Sequence, residues 1–230
     1  MNNAKIIGGE FRINLDALQC ALKRNNVPEY SLGRTCFYAI LKAIKTEVGG
    51  GILLPDYMCN SVVEVPLRIG IPFRHYHIST NFTPDIEDIR YVVDYVRGRL
   101  GIVLISYFGL IDLNDTIKSI RSEFPNMIII VDDIQNYYGF GKHIDYDYCF
   151  TSYRKWFAVP DGADILQKEE AIKIEGYSTQ SDYSYYKAAG NLLKNHIDMI
   201  GDSISLELIA KGEKLMEGEY CYTCSDLSCN

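Results

Sequence analysis

The sequence predicts an α/β fold, a mostly parallel sheet with helices on both faces. Three observations carry this. Short apolar runs recur at ILLP (52–55), GIVLIS (101–106) and MIIIV (127–131). They lack polar alternation, so each reads as a strand buried on both faces. Segments with helical apolar spacing separate the runs, the pattern of a covered parallel sheet. Finally, the run at 127–131 stops at two carboxylates, Asp132 and Asp133, and a second short strand, around Tyr146–Thr151, stops just before Ser152 and Lys155. Opposite charges thus fall at one sheet edge, and in open α/β sheets ligands sit outside the carboxyl ends of the strands.

The elements follow in order. Residues 14–24 carry Leu15, Leu18 and Leu22 at helical spacing, with Asn14 as an N-cap. Gly33 precedes a helix whose apolar face includes Phe37, Ile40, Leu41 and Ile44. Glycine there lets a ligand approach the backbone, and the N–H groups of Arg34, Thr35 and Cys36 would face an anion. A turn at Gly49-Gly50-Gly51 leads into the strand ILLP. Residues 56–70 read as a loop and a helix that Pro66 should kink or end. PFRHYHI (72–78) is the next strand, with His75 and His77 in structural roles. Thr83-Pro84-Asp85 marks a helix start with Pro84 at the first helical position, and the helix should run to about Arg97. The strand GIVLIS, a loop at Tyr107-Phe108-Gly109 and a helix from Leu113 to Phe124 come next. Past the two charged strand ends, a short strand over Asp164–Leu166, a tyrosine-rich loop at 177–186 and two helices within 188–218 complete the series. Residues 1–175 are expected to form the α/β domain and 176–230 a mainly helical tail.

Composition narrows the function. A chain of 230 residues is long enough for one large domain with a substantial core. A formal net charge of -7 argues against a nucleic-acid surface, which would be basic. No apolar run is long enough to span a bilayer, so no membrane partner is expected. The N-terminus lacks a signal-peptide apolar core, which makes the cytoplasm the default location and reduced thiols the expected state of the seven cysteines. Cys221-x-x-Cys224 with Cys229 has no histidine close by and departs from the zinc pattern, so no metal is expected. There is no internal repeat. With neither a Walker sequence nor a G-x-G-x-x-G motif, a nucleotide-binding Rossmann domain is unsupported beyond fold class.

Asp132 or Asp133, Ser152 and Lys155 together suit pyridoxal phosphate. A lysine amine can hold its aldehyde, an acid can keep its ring nitrogen protonated, and a hydroxyl can take a phosphate oxygen. A lone lysine is usually a solvated charge, and an aspartate ending a strand commonly binds metal or ribose. Lys155, however, stands between Cys149-Phe150 and Trp156-Phe157.

The succession GRTCFYAILKAI, ILLPDYMCNSVVEVPLRIG, ISYFG, IIIVDDIQNYYG and TSYRKWFAVPDGA resembles fold-type-I pyridoxal phosphate enzymes. It is most similar to the DegT/DnrJ/EryC1/StrS sugar aminotransferases over roughly residues 30 to 225. The resemblance implies a pyridoxal phosphate-dependent aminotransferase. Lys155 would hold the cofactor, and Ser152 with Gly33, Arg34 and Thr35 would take its phosphate. Either Asp132, spaced with Gln135, or Asp133, spaced with Asn136, would be the ring partner; the loop glycine Gly139 tips the reading to Asp132. Cys59 falls where the family places an aromatic over the cofactor, and Tyr57 or Tyr107 would cover the ring instead. Lys155 would carry the amino donor's α-proton, a role that suits an amine whose pKa is lowered by burial and by a cationic neighbour such as Arg154. An amino donor and a keto-sugar nucleotide are the implied substrates, with a homodimer as the working form. Family members continue into a small C-terminal domain, so the 230 residues alone are expected to bind cofactor but to transfer nitrogen poorly. The rivals are a lyase or decarboxylase on the same fold and a non-catalytic cofactor-binding relative.

Overall fold

The computed structural model describes residues 30–157, 159–174, 182–194 and 202–217. Among them, α1 (Gly33–Ile44) precedes β1 (Gly51–Pro55), α2 (Asn60–Ile69), β2 (Phe73–Tyr76), α3 (Ile86–Asp94), β3 (Leu100–Ile105), α4 (Asn114–Glu123), β4 (Ile128–Asp132), β5 (Tyr148–Ser152) and β6 (Ala163–Gln167). Two further helices follow, α5 (Tyr183–Lys194) and α6 (Asp202–Glu217). The helix expected at 14–24 and the cysteines 221, 224 and 229 lie outside the described residues.

The sheet has six strands in the order β2-β1-β3-β4-β5-β6. The first five are parallel, and β6 runs antiparallel along β5, with Ser152 opposite Ala163. The sequence signal for this is direct. Every residue of β1, β3, β4 and β5 is buried, as continuous apolar runs require when helices cover both faces. The edge strands β2 and β6 are partly exposed and correspondingly polar. With this strand order, the right-handed crossover rule assigns α2 to one face and α3 and α4 to the other. Helix α1 lies against α2 and the β5–β6 end of the sheet. Its Phe37 stacks on Phe150 of β5 at 5.8 Å between ring centroids, and both rings are buried.

Three boundaries differ from expectation. Pro66 lies inside α2, which continues to Ile69 and ends at Gly70, in the left-handed region at φ 75°. The proline forgoes one helical bond, and glycine supplies the stop. Pro84 is not a helical residue; it bridges to Ile78, and Asp85 caps α3 by accepting from the amides of Glu87 and Asp88 at 2.9 and 3.2 Å. That helix ends at Asp94, short of Arg97. The tyrosine-rich segment becomes helical at Tyr183, because Tyr183, Ser184, Lys187 and Ala188 form one buried face. Gly190 lets α5 and α6 approach closely: a Cβ there would stand 2.6 Å from Ile209 Cγ1 and 2.8 Å from the Ser205 carbonyl.

The two histidines take local roles. His75 Nδ1 lies 3.2 Å from the Pro55 carbonyl, and His77 pairs with Asp56 at 2.8 Å. Among the described residues no helix is long and apolar enough to cross a membrane, and no group of three or more His, Cys, Asp or Glu residues could hold a metal ion.

Candidate active site

Strand order reverses around β1 and β3, and the loops at their carboxyl ends open into a crevice. A cavity of about 590 Å3 occupies it. Each wall comes from a different strand end. After β1 come Tyr57, Met58 and Cys59; after β3, Tyr107 and Phe108; at and beyond the end of β4, Asp132, Ile134 and Gln135; after β5, Ser152, Arg154 and Lys155. The start of α1 closes one side with Leu32, Gly33 and Arg34, and Met216 of α6 reaches in.

The start of α1 is shaped for close approach. Leu32 is extended and no side chain caps the helix; of the amides expected to face an anion, those of Thr35 and Cys36 donate to the Leu32 carbonyl at 3.0 and 3.1 Å. A Cβ on Gly33 would lie 2.4 Å from Ile134 Cδ1 and 3.6 Å from Ser152 Cβ. Any larger residue would push into the cavity wall. Ser152 is 2 % exposed, and its Oγ has no hydrogen-bond partner among the described residues. A buried hydroxyl of that kind is uncommon and points to a missing acceptor or donor.

Asp132 and Asp133 diverge. Successive residues of a strand point to opposite faces. Asp132 pairs in register with Phe150, lines the cavity, and accepts from the Ile134 amide at 2.9 Å. Burial pushes its carboxyl up to about 7; the Ile134 amide lowers it, and the neighbouring Asp133 charge raises it. Asp133 lies on the other side of the strand, fully buried. Burial opposes its charge, yet hydrogen bonds from His143 and Ser106 outweigh this and hold the carboxyl below its usual range.

The remaining predicted residues divide as follows. Cys59 lines the cavity as the exposed N-cap of α2, its sulfur accepting from Ser61 Oγ at 3.1 Å. Gln135 lines it too, with Oε1 accepting from the Phe108 amide at 2.7 Å. That bond fixes Phe108 in the left-handed region at φ 57°, an unusual place for a bulky residue. Arg34 lines the cavity, but its Nη2 donates to the Met216 carbonyl at the end of α6. Lys155 lines the cavity and is exposed rather than buried; Arg154 stands beside it, half-buried. Thr35, Asp133 and Asn136 do not line the cavity. Thr35 Oγ1 lies 3.1 Å from Ser31 Oγ, and Asn136 bonds to Gly139 and Asp133.

Of the two tyrosines named as ring covers, both line the cavity. Tyr57 is 56 % exposed; Tyr107 is buried and donates to the Tyr57 carbonyl. Burial, with nearby Asp56 and Asp132, raises the Tyr107 hydroxyl well above its usual range, so it stays a donor. Sequence reasoning missed Phe108 as a wall, Met216 as a contributor from the tail, and His143. Nothing in the linear pattern pairs His143 with Asp133 across ten residues of loop.

Comparison with known structures bears on the fold. A DegT DnrJ EryC1 StrS aminotransferase from Brucella abortus superposes with a TM-score of 0.51 at 17% identity, covering 67% of this chain and 45% of that one. NtdA from Bacillus subtilis, solved with bound cofactor PMP, gives 0.50 at 18% identity over 67% of this chain and 36% of that one. The chain has the fold of these aminotransferases. A putative sugar aminotransferase from Streptococcus pneumoniae, Spr1654 in its PLP form, agrees at 0.51 and 12% identity, covering 72% of this chain and 49% of that one. The chain therefore spans less than half the length of each of these aminotransferases. No family model and no curated protein matches it. At this identity the aminotransferase likeness is one of fold.

Proposed function

We propose that the chain carries the cofactor-binding part of a pyridoxal phosphate-dependent aminotransferase that moves nitrogen from an amino donor to a keto-sugar nucleotide, as a cytoplasmic homodimer. One observation carries this reading. A single cavity at the strand ends is lined by an acid, a buried hydroxyl without a partner, a glycine-led helix start and a lysine. The shared fold supports it, and NtdA, one of the proteins sharing it, was solved with PMP.

The residues present fit the cofactor. Ser152 Oγ has no partner among the described residues, and the positive end of α1 beside it favours an anion, so the phosphate has a place to go. Asp132 is a buried acid that resists bare ionisation, and a cationic ring N–H is the partner that relieves it. When bound, the cofactor supplies an aldehyde for nitrogen and a protonated ring that withdraws electrons. Asp132 would accept the ring N–H and hold the ring at one angle. Lys155 would hold the cofactor by its amine and, displaced by the donor's amine, carry the donor's α-proton away and return it. Gln135, by pinning the Phe108 turn, would fix the aromatic wall opposite.

The test is chemical. The full chain, incubated with pyridoxal phosphate and reduced with borohydride, should carry the cofactor on the peptide containing Lys155. Reduction that labels another lysine, or no labelling with cofactor in saturating excess, refutes the assignment.

A further inference from the structure

The second aspartate is not spent on the cavity, and the structure gives it an unusual number of partners. Asp133 Oδ1 accepts from Ser106 Oγ at 2.5 Å, from His143 Nε2 at 2.9 Å and from Asn136 Nδ2 at 3.3 Å. Its Oδ2 accepts from Cys149 Sγ at 3.1 Å and from the Gly141 amide at 3.2 Å. These donors come from the end of β3, from the loop after β4 and from β5. The backbone is fixed as well: Asp133 N donates to the Phe150 carbonyl at 2.9 Å, and its own carbonyl accepts from Thr151 Oγ1 at 3.1 Å. A fully buried carboxylate with every lone-pair direction met is a charge held in place.

We propose that Asp133 is a positioning residue. Its negative charge, secured by Ser106 and His143 on the far face of β4, makes the neighbouring Asp132 the stronger base in the cavity. A loop needs no buried charge to be pinned; neutral groups would do it without the desolvation cost. What a charge adds here is pressure on the acid one residue away. Two adjacent acids in different surroundings are driven apart, one kept ionised and one kept proton-hungry. Titratable groups facing Asp133 are few: His143 from the loop, the Cys149 thiol from β5, the Tyr146 phenol before β5, and Asp132 itself. The thiol and the phenol are both raised by burial, with the Asp133 charge adding to it, so neither adds a charge beside Asp133 near neutral pH. The use of that stronger base toward a ring nitrogen rests on the cofactor reading; the coupling between the two acids does not.

The experiment therefore uses the cofactor-free full chain. Carbon-13 carboxyl NMR of aspartate-labelled protein follows the Asp132 resonance, assigned by its loss in Asp132→Asn. In Asp133→Asn the Asp132 midpoint should fall by about one pH unit or more. In Cys149→Ala, which loses a donor but keeps the charge, it should stay within a few tenths of a unit. If Asp133→Asn does not fold, Asp133→Ser is the second variant: it also removes the charge and should likewise move the Asp132 midpoint down by about one pH unit or more. An unchanged midpoint in the folded charge variant, or an equal shift in Cys149→Ala, overturns the proposal. Failure of the borohydride label leaves this result untouched, so the two readings fail separately.

Discussion

Replacing Asp132 with Asn should stabilise the cofactor-free chain while weakening its grip on pyridoxal phosphate. The carboxyl is 5 % exposed, and burial moves it from 3.8 to about 7. A shift of roughly three units is roughly 4 kcal/mol against the ionised form. The sign follows from proton counting. From pH 3.8 to about 7 the folded chain holds the Asp132 proton and the unfolded chain has released it, so wild-type stability falls as pH rises through that window. Below 3.8 both states are protonated, and above about 7 both are ionised with the full penalty in place.

The variant carries no such proton. Its stability relative to wild type should start about 1–2 kcal/mol below zero at pH 3.5, grow by about 1.4 kcal/mol per pH unit, and level off near pH 7.5. The amide oxygen can keep the Ile134 bond, but the new N–H donors need partners, which takes back about 1–2 kcal/mol. About 2 kcal/mol should remain at pH 8, or roughly 4–8 °C in melting temperature for a chain of this size. Thermal melts of both proteins from pH 4 to 8, without and with pyridoxal phosphate, give the answer. Added cofactor should reverse the order, raising the wild type far more than the variant. A variant no more stable than wild type at any pH, with no gap opening between pH 4 and 7, would falsify the view of Asp132 as a strained acid waiting for a cation.

Other substitutions read other links of the same chain. Ser152→Ala removes a hydroxyl that has no partner among the described residues, so melting should hardly change, while the pyridoxal phosphate dissociation constant, read by absorbance titration, should rise roughly ten- to a hundredfold, the worth of one hydrogen bond to a charged group. Phe37→Ala deletes the buried ring that stacks on Phe150 and should cost about 3–5 kcal/mol in urea unfolding. Asp85→Ala strips the cap from α3 at a cost of about 1 kcal/mol, visible as a melting shift of about 2–4 °C with no change in cofactor affinity.

The sheet was legible because its signal is local and strong. Ile128 to Val131 cannot be placed anywhere but between two covered faces, and the same holds for β1 and β3. The strand ends were legible for the same reason, since a carboxylate or lysine closing such a run must lie at the sheet edge. Boundaries set by competition were not. Pro84 is favoured at a first helical position, but Asp85 makes the better cap, and the helix starts at Ile86, two residues later than the proline suggests. Contacts made across the fold were not legible at all. Arg34 looked like part of an anion site from its place after Gly33; in the structure its guanidinium reaches a carbonyl at the far end of α6, 182 residues along the chain. No local pattern encodes such a partner.

The paired aspartates show where pattern and geometry divide the work. In sequence Asp132 and Asp133 are interchangeable, because each can be spaced to an amide side chain, Gln135 or Asn136. The pleat separates them: one residue of register puts one carboxyl toward α1 and the cavity and the other toward Ser106 and His143. The amides then follow their acids, Gln135 to the cavity wall and Asn136 onto Asp133. A one-residue slip of β4 would exchange these roles, with Asp132 among the donors and Asp133 at the cavity. A carboxylate satisfied by five donors has little reason to bind a cation. The buried acid that among the described residues accepts one backbone amide has every reason to, which is why the less saturated aspartate, rather than the more elaborately held one, is the candidate for contact with the cofactor's ring.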